Sequence, residues 1–167
     1  MTRAVIALGA NLGDARAALQ GAVDALSKTQ GIDVLAASPV YETEPVGGPE
    51  QPVYVNAVIL IDTSLDPDDL LTRANAIEAE WQRTREVHWG PRTLDIDIIE
   101  IEGFISDSER LTIPHPRAHE RGFVLVPWLT VDPKAELHGA PVAELIQRVD
   151  VSGVRMLQPR VELKVSQ

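Results

Sequence analysis

Alternation of apolar and polar positions divides the chain into strands and amphipathic helices. Arg3 to Leu8 alternates and then runs apolar, which predicts a first strand. Gly9-Ala-Asn-Leu-Gly13 reads as a turn, and Asp14 as the cap of a helix running to about Lys28. Ala15, Leu19, Ala22, Val23 and Leu26 recur at three- and four-residue intervals, giving that helix one buried stripe before Gly31 ends it. Ile32 to Ser38 predicts a second strand, Pro39 to Pro52 a loop rich in Pro and Gly, and Tyr54 to Asp62 a third strand. Asp66-Pro67-Asp68-Asp69 starts a helix with an Asp cap, proline at its first position and carboxylates near the positive end of its dipole. Leu70, Ala74, Ile77 and Trp81 share its inner face. A loop over 83–93 precedes a fourth alternating strand, Leu94 to Ile101.

The resulting order, β-α-β-β-α-β, is that of an α+β ferredoxin-like core, an antiparallel sheet with two helices on one face. A C-terminal extension follows: short helical turns over Ala118 to Val131, a helix over Val142 to Arg148, and a closing hairpin of Val154–Met156 with Glu162–Val165. The chain has 167 residues, 44% of them hydrophobic, without a repeat or low-complexity linker, so one domain spanning 1–167 is expected. No stretch approaches the roughly 18 to 20 consecutive apolar residues of a membrane span. The absence of cysteine excludes disulfides, thiolate metal sites and cysteine nucleophiles, and suits a cytoplasmic location.

A net charge of −10 works against nucleic acid as a partner. Its distribution is uneven. Six of the fifteen Lys and Arg lie between residues 83 and 121, all six are arginine (83, 85, 92, 110, 117 and 121), and three of the four His join them. A guanidinium offers a two-pronged donor to a phosphate, so the cluster fits a compact multi-oxygen anion, or else a solvated surface. Two familiar phosphate motifs are missing. Gly9 to Asp14 lacks the lysine of a Walker loop and the third glycine of a dinucleotide fingerprint, and there is no kinase-type catalytic loop or Gly-x-Ser-x-Gly elbow.

The chemistry instead concentrates in His88-Trp-Gly-Pro-Arg-Thr-Leu-Asp-Ile-Asp-Ile-Ile99. Side chains two apart on a strand share a face, so Asp95 and Asp97 project together while Leu94, Ile96 and Ile98 take the other side. Paired carboxylates repel unless a cation lies between them, and hard oxygen ligands suit Mg²⁺ completed by substrate phosphates; a solvated acidic sheet face is the alternative. Arg92, three residues before the first Asp in a turn stiffened by Gly90 and Pro91 and beside Trp89, adds an anion site to a metal site. His115, between Pro114 and Pro116, is either a fixed phosphate-side imidazole or a structural loop histidine. Tyr54 and Phe123 are either core or stacking plates for a flat heterocycle. Asn56 could read such a ring's polar edge, or satisfy a nearby backbone group.

These residues resemble the signature of the 6-hydroxymethyl-7,8-dihydropterin pyrophosphokinases. The similarity extends to the Gly-Ala-Asn-Leu-Gly opening, Tyr41-Glu-Thr-Glu-Pro-Val-Gly47, Gln51-Pro-Val-Tyr-Val-Asn-Ala57, Arg110-Leu-Thr-Ile-Pro-His115 and Arg121-Gly-Phe123. The resemblance implies a ferredoxin-like fold, two Mg²⁺ ions bound with ATP, and transfer of the β- and γ-phosphates together, with AMP as by-product. It implies that Asp95 and Asp97 hold both ions, and that Thr43, Pro45, Val46, Tyr54, Asn56 and Phe123 form the pterin pocket. It places Arg83, Arg92, Arg110, His115 and Arg121 on ATP and its phosphates, with Trp89 and Thr112 nearby and Glu78 and Ile98 on the nucleotide side. The implied partners are ATP and the reduced pterin, with no nucleic acid or membrane, and nothing in the sequence demands more than a monomer.

The sequence departs from the family pattern at four places. Gln82 stands where glycine is common, which bears on the loop expected to close over the nucleotide. Glu86 and His88 replace commonly basic residues, leaving phosphate binding to the remaining arginines, and Pro116 replaces a tyrosine of some members. Two rival readings are a ferredoxin-like regulatory domain that binds a small ligand without turnover, and a different Mg²⁺ transferase using the Asp pair.

Overall fold

The computed structural model describes residues 1–11, 15–43, 54–85 and 94–165, the last three residues of the 54–85 segment by their backbone alone. The elements are β1 (Thr2–Asn11), α1 (Ala15–Ser27), β2 (Ile32–Ala37), β3 (Tyr41–Thr43), β4 (Tyr54–Thr63), α2 (Pro67–Arg85) and β5 (Leu94–Ile101). There follow β6 (Ser106–Asp107), β7 (Thr112–Ile113), a 3-10 turn (Ala118–Glu120), α3 (Gly122–Val131), β8 (Glu136–Leu137), β9 (Ala140–Pro141), α4 (Val142–Ile146) and β10 (Val154–Met156).

Six strands form one antiparallel sheet. Its path runs β10-β3-β4-β1-β5, with β2 also paired to β4. β1 is therefore central, held in register by β4 along its whole length and by β5 from Ala4 to Ala10. Ala4, Ile6, Leu8 and Ala10 of β1, with Val55, Ala57, Ile59 and Ile61 of β4, pack against Leu19, Ala22, Val23 and Leu26 of α1 and Leu70, Ala74 and Ile77 of α2. This is the expected layer of two helices on one sheet face, and the α1 stripe anticipated from the sequence is buried throughout. Truncating a fully buried Leu19 or Leu26 to Ala would cost about 2–5 kcal/mol.

The opposite sheet face is covered over only part of its area. Val5, Val58, Leu60 and Ile99 pack there against Val124, Leu125 and Trp128 of α3 and Val142 and Leu145 of α4. A register shift opposite Val5/Ile6 adds one residue to β5, so that Ile98 and Ile101 both reach the α1/α2 core while Ile99 joins the α3 layer.

The C-terminal hairpin is corrected. β10 pairs with β3 (Val154↔Thr43 to Met156↔Tyr41), and Glu162 bridges Pro39 rather than the 154–156 segment. The Val40 main chain joins both stretches, donating to Val161 O at 2.9 Å and accepting from Leu157 N at 3.0 Å. Alternation identifies a strand but not its partner, and here the free edge of β3 receives it. β3 itself falls inside the segment read as a loop, of which residues 44–53 lie outside the described residues. The turn assigned from Gly9 is also corrected: Gly9, Ala10 and Asn11 continue β1, while Asp14 and its cap lie outside the described residues. The segment 118–131 is a 3-10 turn followed by one ten-residue helix, and the helix from Val142 ends at Ile146.

Between β2 and β3 the chain slides along one edge of β4, and Ser38 makes the transition possible. Its N–H donates to Val58 O, and its hydroxyl accepts from Val58 N and donates to Pro39 O, all at 2.9 Å and in a buried setting. Ser38→Ala leaves the buried Val58 amide without its acceptor, and is expected to lower stability by about 1–3 kcal/mol in urea unfolding. An unchanged midpoint would show that this bond is dispensable to the crossing.

Candidate active site

The pleat decides which side chains meet. In an antiparallel sheet, residues directly opposite one another point to the same face, so each cross-strand row is a row of neighbours. One row is Asn56–Gly9–Asp95 and the next is Val58–Ala7–Asp97. Asn11 and Thr43 lie opposite Tyr54 on its two flanks. These rows sit on the face that α3 leaves partly open. They form the floor of a cleft of about 720 Å³ that Phe123, Arg117 and Arg121 also line. The two smallest floor residues, Gly9 and Ala7, separate the carboxylates on β5 from Tyr54 and Asn56 on β4.

Asn56 is only 4% exposed, and its amide is oriented by Thr43, whose Oγ1 donates to Asn56 Oδ1 at 2.9 Å. The Nδ2 donor is thereby turned toward the floor beside Gly9. Tyr54 reaches across β1, its hydroxyl donating to Asp95 Oδ2. At the α3 entrance, the Arg121 guanidinium lies 5.6 Å from the centre of the Phe123 ring, within cation–π range.

The electrostatics at the Asp end are strained. Burial raises the Asp97 carboxyl above the usual carboxylate range; His115 opposes the shift, Asp95 adds to it, and Arg121 opposes it. Burial likewise raises Glu78 of α2, opposed by the hydrogen bond it accepts from Ile96 N at 2.7 Å and reinforced by Asp95 and Asp97. His115 is lowered, chiefly by burial; Asp97 pulls it back up, while Arg121 and Arg117 push it further down. Its main-chain N–H donates to Ile99 O at 2.8 Å, and its Nδ1 accepts from Arg117 N at 3.2 Å, so the neutral ring carries its proton on Nε2.

Asp95 and Asp97 offer oxygen ligands on one face, and the charge of Asp95 bears on Asp97, an arrangement that fits a divalent cation. Among the described residues no group of three or more His, Cys, Asp or Glu is arranged to hold a metal. A site of one or two carboxylates, completed by phosphate oxygens, is the pattern of Mg²⁺ arriving with a nucleotide rather than of an all-protein cage.

The structure thus brings together Thr43, Tyr54, Asn56, Asp95, Asp97, Arg121 and Phe123 in the cleft, with His115 within electrostatic reach of Asp97. Glu78 lies at the outer edge of β5 on Ile96. Arg110 points elsewhere, donating to Thr72 Oγ1 at 2.6 Å and Asp68 Oδ1 at 3.3 Å on α2. Thr112 Oγ1 donates to Ser108 O at 3.1 Å. The Ile98 side chain is buried in the core, so only its main chain on edge strand β5 is available to a ligand. Pro45, Val46, Trp89 and Arg92 lie outside the described residues, as does the side chain of Arg83. Of the departures from the family pattern, Glu86 and His88 lie there too.

The sequence reading missed Gly9 and Ala7 as floor, and the lip formed by Asp150, Ser152, Gly153 and Val154. Gly9 carried a signal that was read as a turn. The lip carried none, because only the β10–β3 pairing brings it to the cleft.

Comparison with known proteins supplies the family. Residues 5–133 match the family model of 7,8-dihydro-6-hydroxymethylpterin-pyrophosphokinase. The chain belongs to this family. Similar relatives named 2-amino-4-hydroxy-6-hydroxymethyldihydropteridine pyrophosphokinase include that of Methylorubrum extorquens, 44% identical over 95% of this chain and 100% of the relative. Those of Mycobacterium tuberculosis (41% identical; 98% of this chain, 94% of the relative) and Pseudomonas aeruginosa (39%; 93% and 96%) are comparably complete. Among solved structures, wild-type Plasmodium falciparum HPPK-DHPS superimposes with a TM-score of 0.69 at 15% identity, over 88% of this chain; this chain spans 44% of that one. That likeness supports the ferredoxin-like pyrophosphokinase fold alone. Membership makes the chain a pyrophosphokinase of folate biosynthesis acting on the hydroxymethyldihydropterin.

The shared field of the Asp end is open to titration in the metal-free pyrophosphokinase. A neighbouring cation disfavours imidazolium and a neighbouring carboxylate favours it. Arg121→Leu should therefore raise the pKa of His115, and Asp97→Asn should lower it, both followed by NMR of the ring protons. If neither substitution moves the titration, the three groups do not share a field.

Proposed function

We propose that this pyrophosphokinase transfers the β- and γ-phosphates of ATP together to the hydroxymethyl oxygen of 6-hydroxymethyl-7,8-dihydropterin, releasing AMP, with two Mg²⁺ ions held by Asp95 and Asp97. The observation that carries this reading is the pair of floor rows: two crowded carboxylates on β5 share one face with Tyr54 and Asn56 on β4, and only Gly9 and Ala7 lie between. A heterocycle at the β4 end has its exocyclic carbon directed along the floor toward the carboxylates, where a polyphosphate would arrive.

In this reading Tyr54 and Phe123 flank the pterin ring, and Asn56 donates from Nδ2 to its polar edge, while its Oδ1, which already accepts from Thr43, keeps a second lone pair for a ring N–H. Thr43 acts through Asn56, and Pro45 and Val46 complete the pocket. The hydroxymethyl oxygen attacks the β-phosphorus in line, its proton passing to water, the bond from that phosphorus to the α-phosphate oxygen breaks, and AMP leaves with the electron pair. Bound Mg²⁺ would supply charge neutralisation on the phosphates and a lowered pKa for the attacking hydroxyl. Arg83 and Arg92 are assigned to the transferring group, and Arg121, His115 and Trp89 to ATP. Arg110 serves the phosphates by leaving Asp68 and Thr72, and Glu78, Thr112 and the Ile98 main chain lie on the nucleotide side. The chain's own contribution is positioning and fixed positive charge, which dominate phosphoryl transfer, so no general base is assigned.

The wider setting follows from the same reading: a monomer in the cytoplasm, with ATP and reduced pterin as its partners and neither nucleic acid nor membrane. The absence of cysteine and the charge of −10 support it. Among the described residues, no helix is long and apolar enough to cross a membrane.

Incubation of purified protein with ATP, Mg²⁺ and 6-hydroxymethyl-7,8-dihydropterin should yield AMP one-for-one with pterin diphosphate, resolved by chromatography. ADP would mean single phosphoryl transfer, and pterin binding without turnover would mean a ligand-binding domain. Asp95→Ala and Asp97→Ala should each lower turnover by several orders of magnitude while leaving the thermal midpoint near wild type, since Asp95 is exposed and Asp97 only partly buried. Near-normal turnover in both variants would remove the assignment of the metal pair.

A further inference from the structure

Gly9 lies within the central strand, two residues before its last, where glycine weakens pairing and contributes no packing. Three ordinary reasons account for a strand glycine: a left-handed backbone, a bulge, or the close approach of another group. The first fails, since Gly31, Gly103 and Gly139 are the described glycines with positive φ and Gly9 is not among them. The second fails as well. Gly9 pairs in unbroken register with Asn56 on one side and Asp95 on the other, and the irregularity in β1 lies back at Val5/Ile6.

Close approach remains, and the approaching groups are both side chains. A Cβ at position 9 would stand 2.6 Å from Tyr54 Cε1, 3.1 Å from the Tyr54 hydroxyl and 3.2 Å from Asn56 Nδ2. The first distance is below any contact that carbon atoms sustain. The Tyr54 ring therefore lies over the bare main chain of β1, and this position lets its hydroxyl reach Asp95 on the strand beyond. The Asn56 amide, from the same strand as Tyr54, lies against the same gap.

From this we infer that Gly9 is a positioning residue for pterin specificity: its missing side chain sets the height at which the Tyr54 ring and the Asn56 amide meet a flat heterocycle. The inference rests on the pterin reading of the cleft and adds a residue that touches the ligand only through these two. It separates cleanly from a backbone role. An alanine suits the strand conformation at position 9, and the atom it displaces, Tyr54 Cε1, belongs to the ring of a partly buried side chain that lines the cleft. The sheet has no need to move; the ring does.

Gly9→Ala is the test, read as a split between two Michaelis constants. The KM for 6-hydroxymethyl-7,8-dihydropterin should rise by roughly tenfold or more, the loss expected from a displaced aromatic plate and donor. The KM for ATP should stay near its wild-type value, and the thermal midpoint should stay at or above that of the wild type. On a Tyr54→Ala background, which empties the contested space, the same change at position 9 should have a much smaller effect on pterin KM. An unaltered pterin KM in Gly9→Ala, a falling thermal midpoint, or an undiminished effect on the Tyr54→Ala background would each overturn the role of Gly9. Failure of the wild-type protein to turn over pterin would instead remove the reading of the cleft on which it rests.

Discussion

Everything in this molecule depends on the register of β1 against β4 and β5. Because side chains alternate, the same three strands that bury Leu8, Ala57 and Ile96 under α1 and α2 must present Gly9, Asn56 and Asp95 to the other side. A slip of one residue in either neighbour would send an aspartate into the hydrocarbon layer and an isoleucine into the cleft. The core thus enforces the site. The irregularity in β5 falls beyond Asp97, and so returns Ile101 to the core without disturbing either carboxylate.

The parts of the fold legible in the sequence are those with strong local periodicity. The α1 stripe, the α2 start at Asp66-Pro67 and the alternation through Leu94 to Ile101 each state their element and buried face within a few turns of chain. The candidate site was legible to the same extent, because Asp95, Asp97, Tyr54 and Asn56 are fixed to a face by parity alone, once their strands are granted. Their meeting across β1 required the sheet order, which the resemblance implied and periodicity did not.

What stayed hidden depends on partners far away in sequence. Val154 to Met156 looks like any short strand, and its pairing with Tyr41 to Thr43 is selected by a free edge that exists only after β3 has docked on β4. Gly9 was misread for a related reason. Glycine next to Ala-Asn-Leu-Gly is a turn signal by composition, but its purpose here is room for an aromatic ring contributed 45 residues later. Arg110, which the resemblance places on the phosphates, is paired to Asp68 and Thr72 in an exposed surface contact that contributes little to stability.

The chain's acidity and its polyphosphate substrate are compatible once charge is read by location. At about 0.1 M ionic strength, exposed charges separated by more than roughly 10 Å are largely screened, so the sum of −10 says little about one cleft. Glu100, for instance, faces Glu136, Asp132 and Glu102 around a separate small cavity, and its burial with those neighbours raises its own carboxyl rather than biasing the Asp95 end. Inside the main cleft, lined also by Arg117 and Arg121, burial and the neighbouring Asp95 raise the Asp97 carboxyl against the opposing pull of His115 and Arg121. A bare triphosphate would meet repulsion from the two carboxylates, whereas a triphosphate carrying divalent cations supplies the charge the pair lacks. In the proposed reading the acidic pair would select for the metal-bound nucleotide and the arginines for its phosphates; neither group alone would do both.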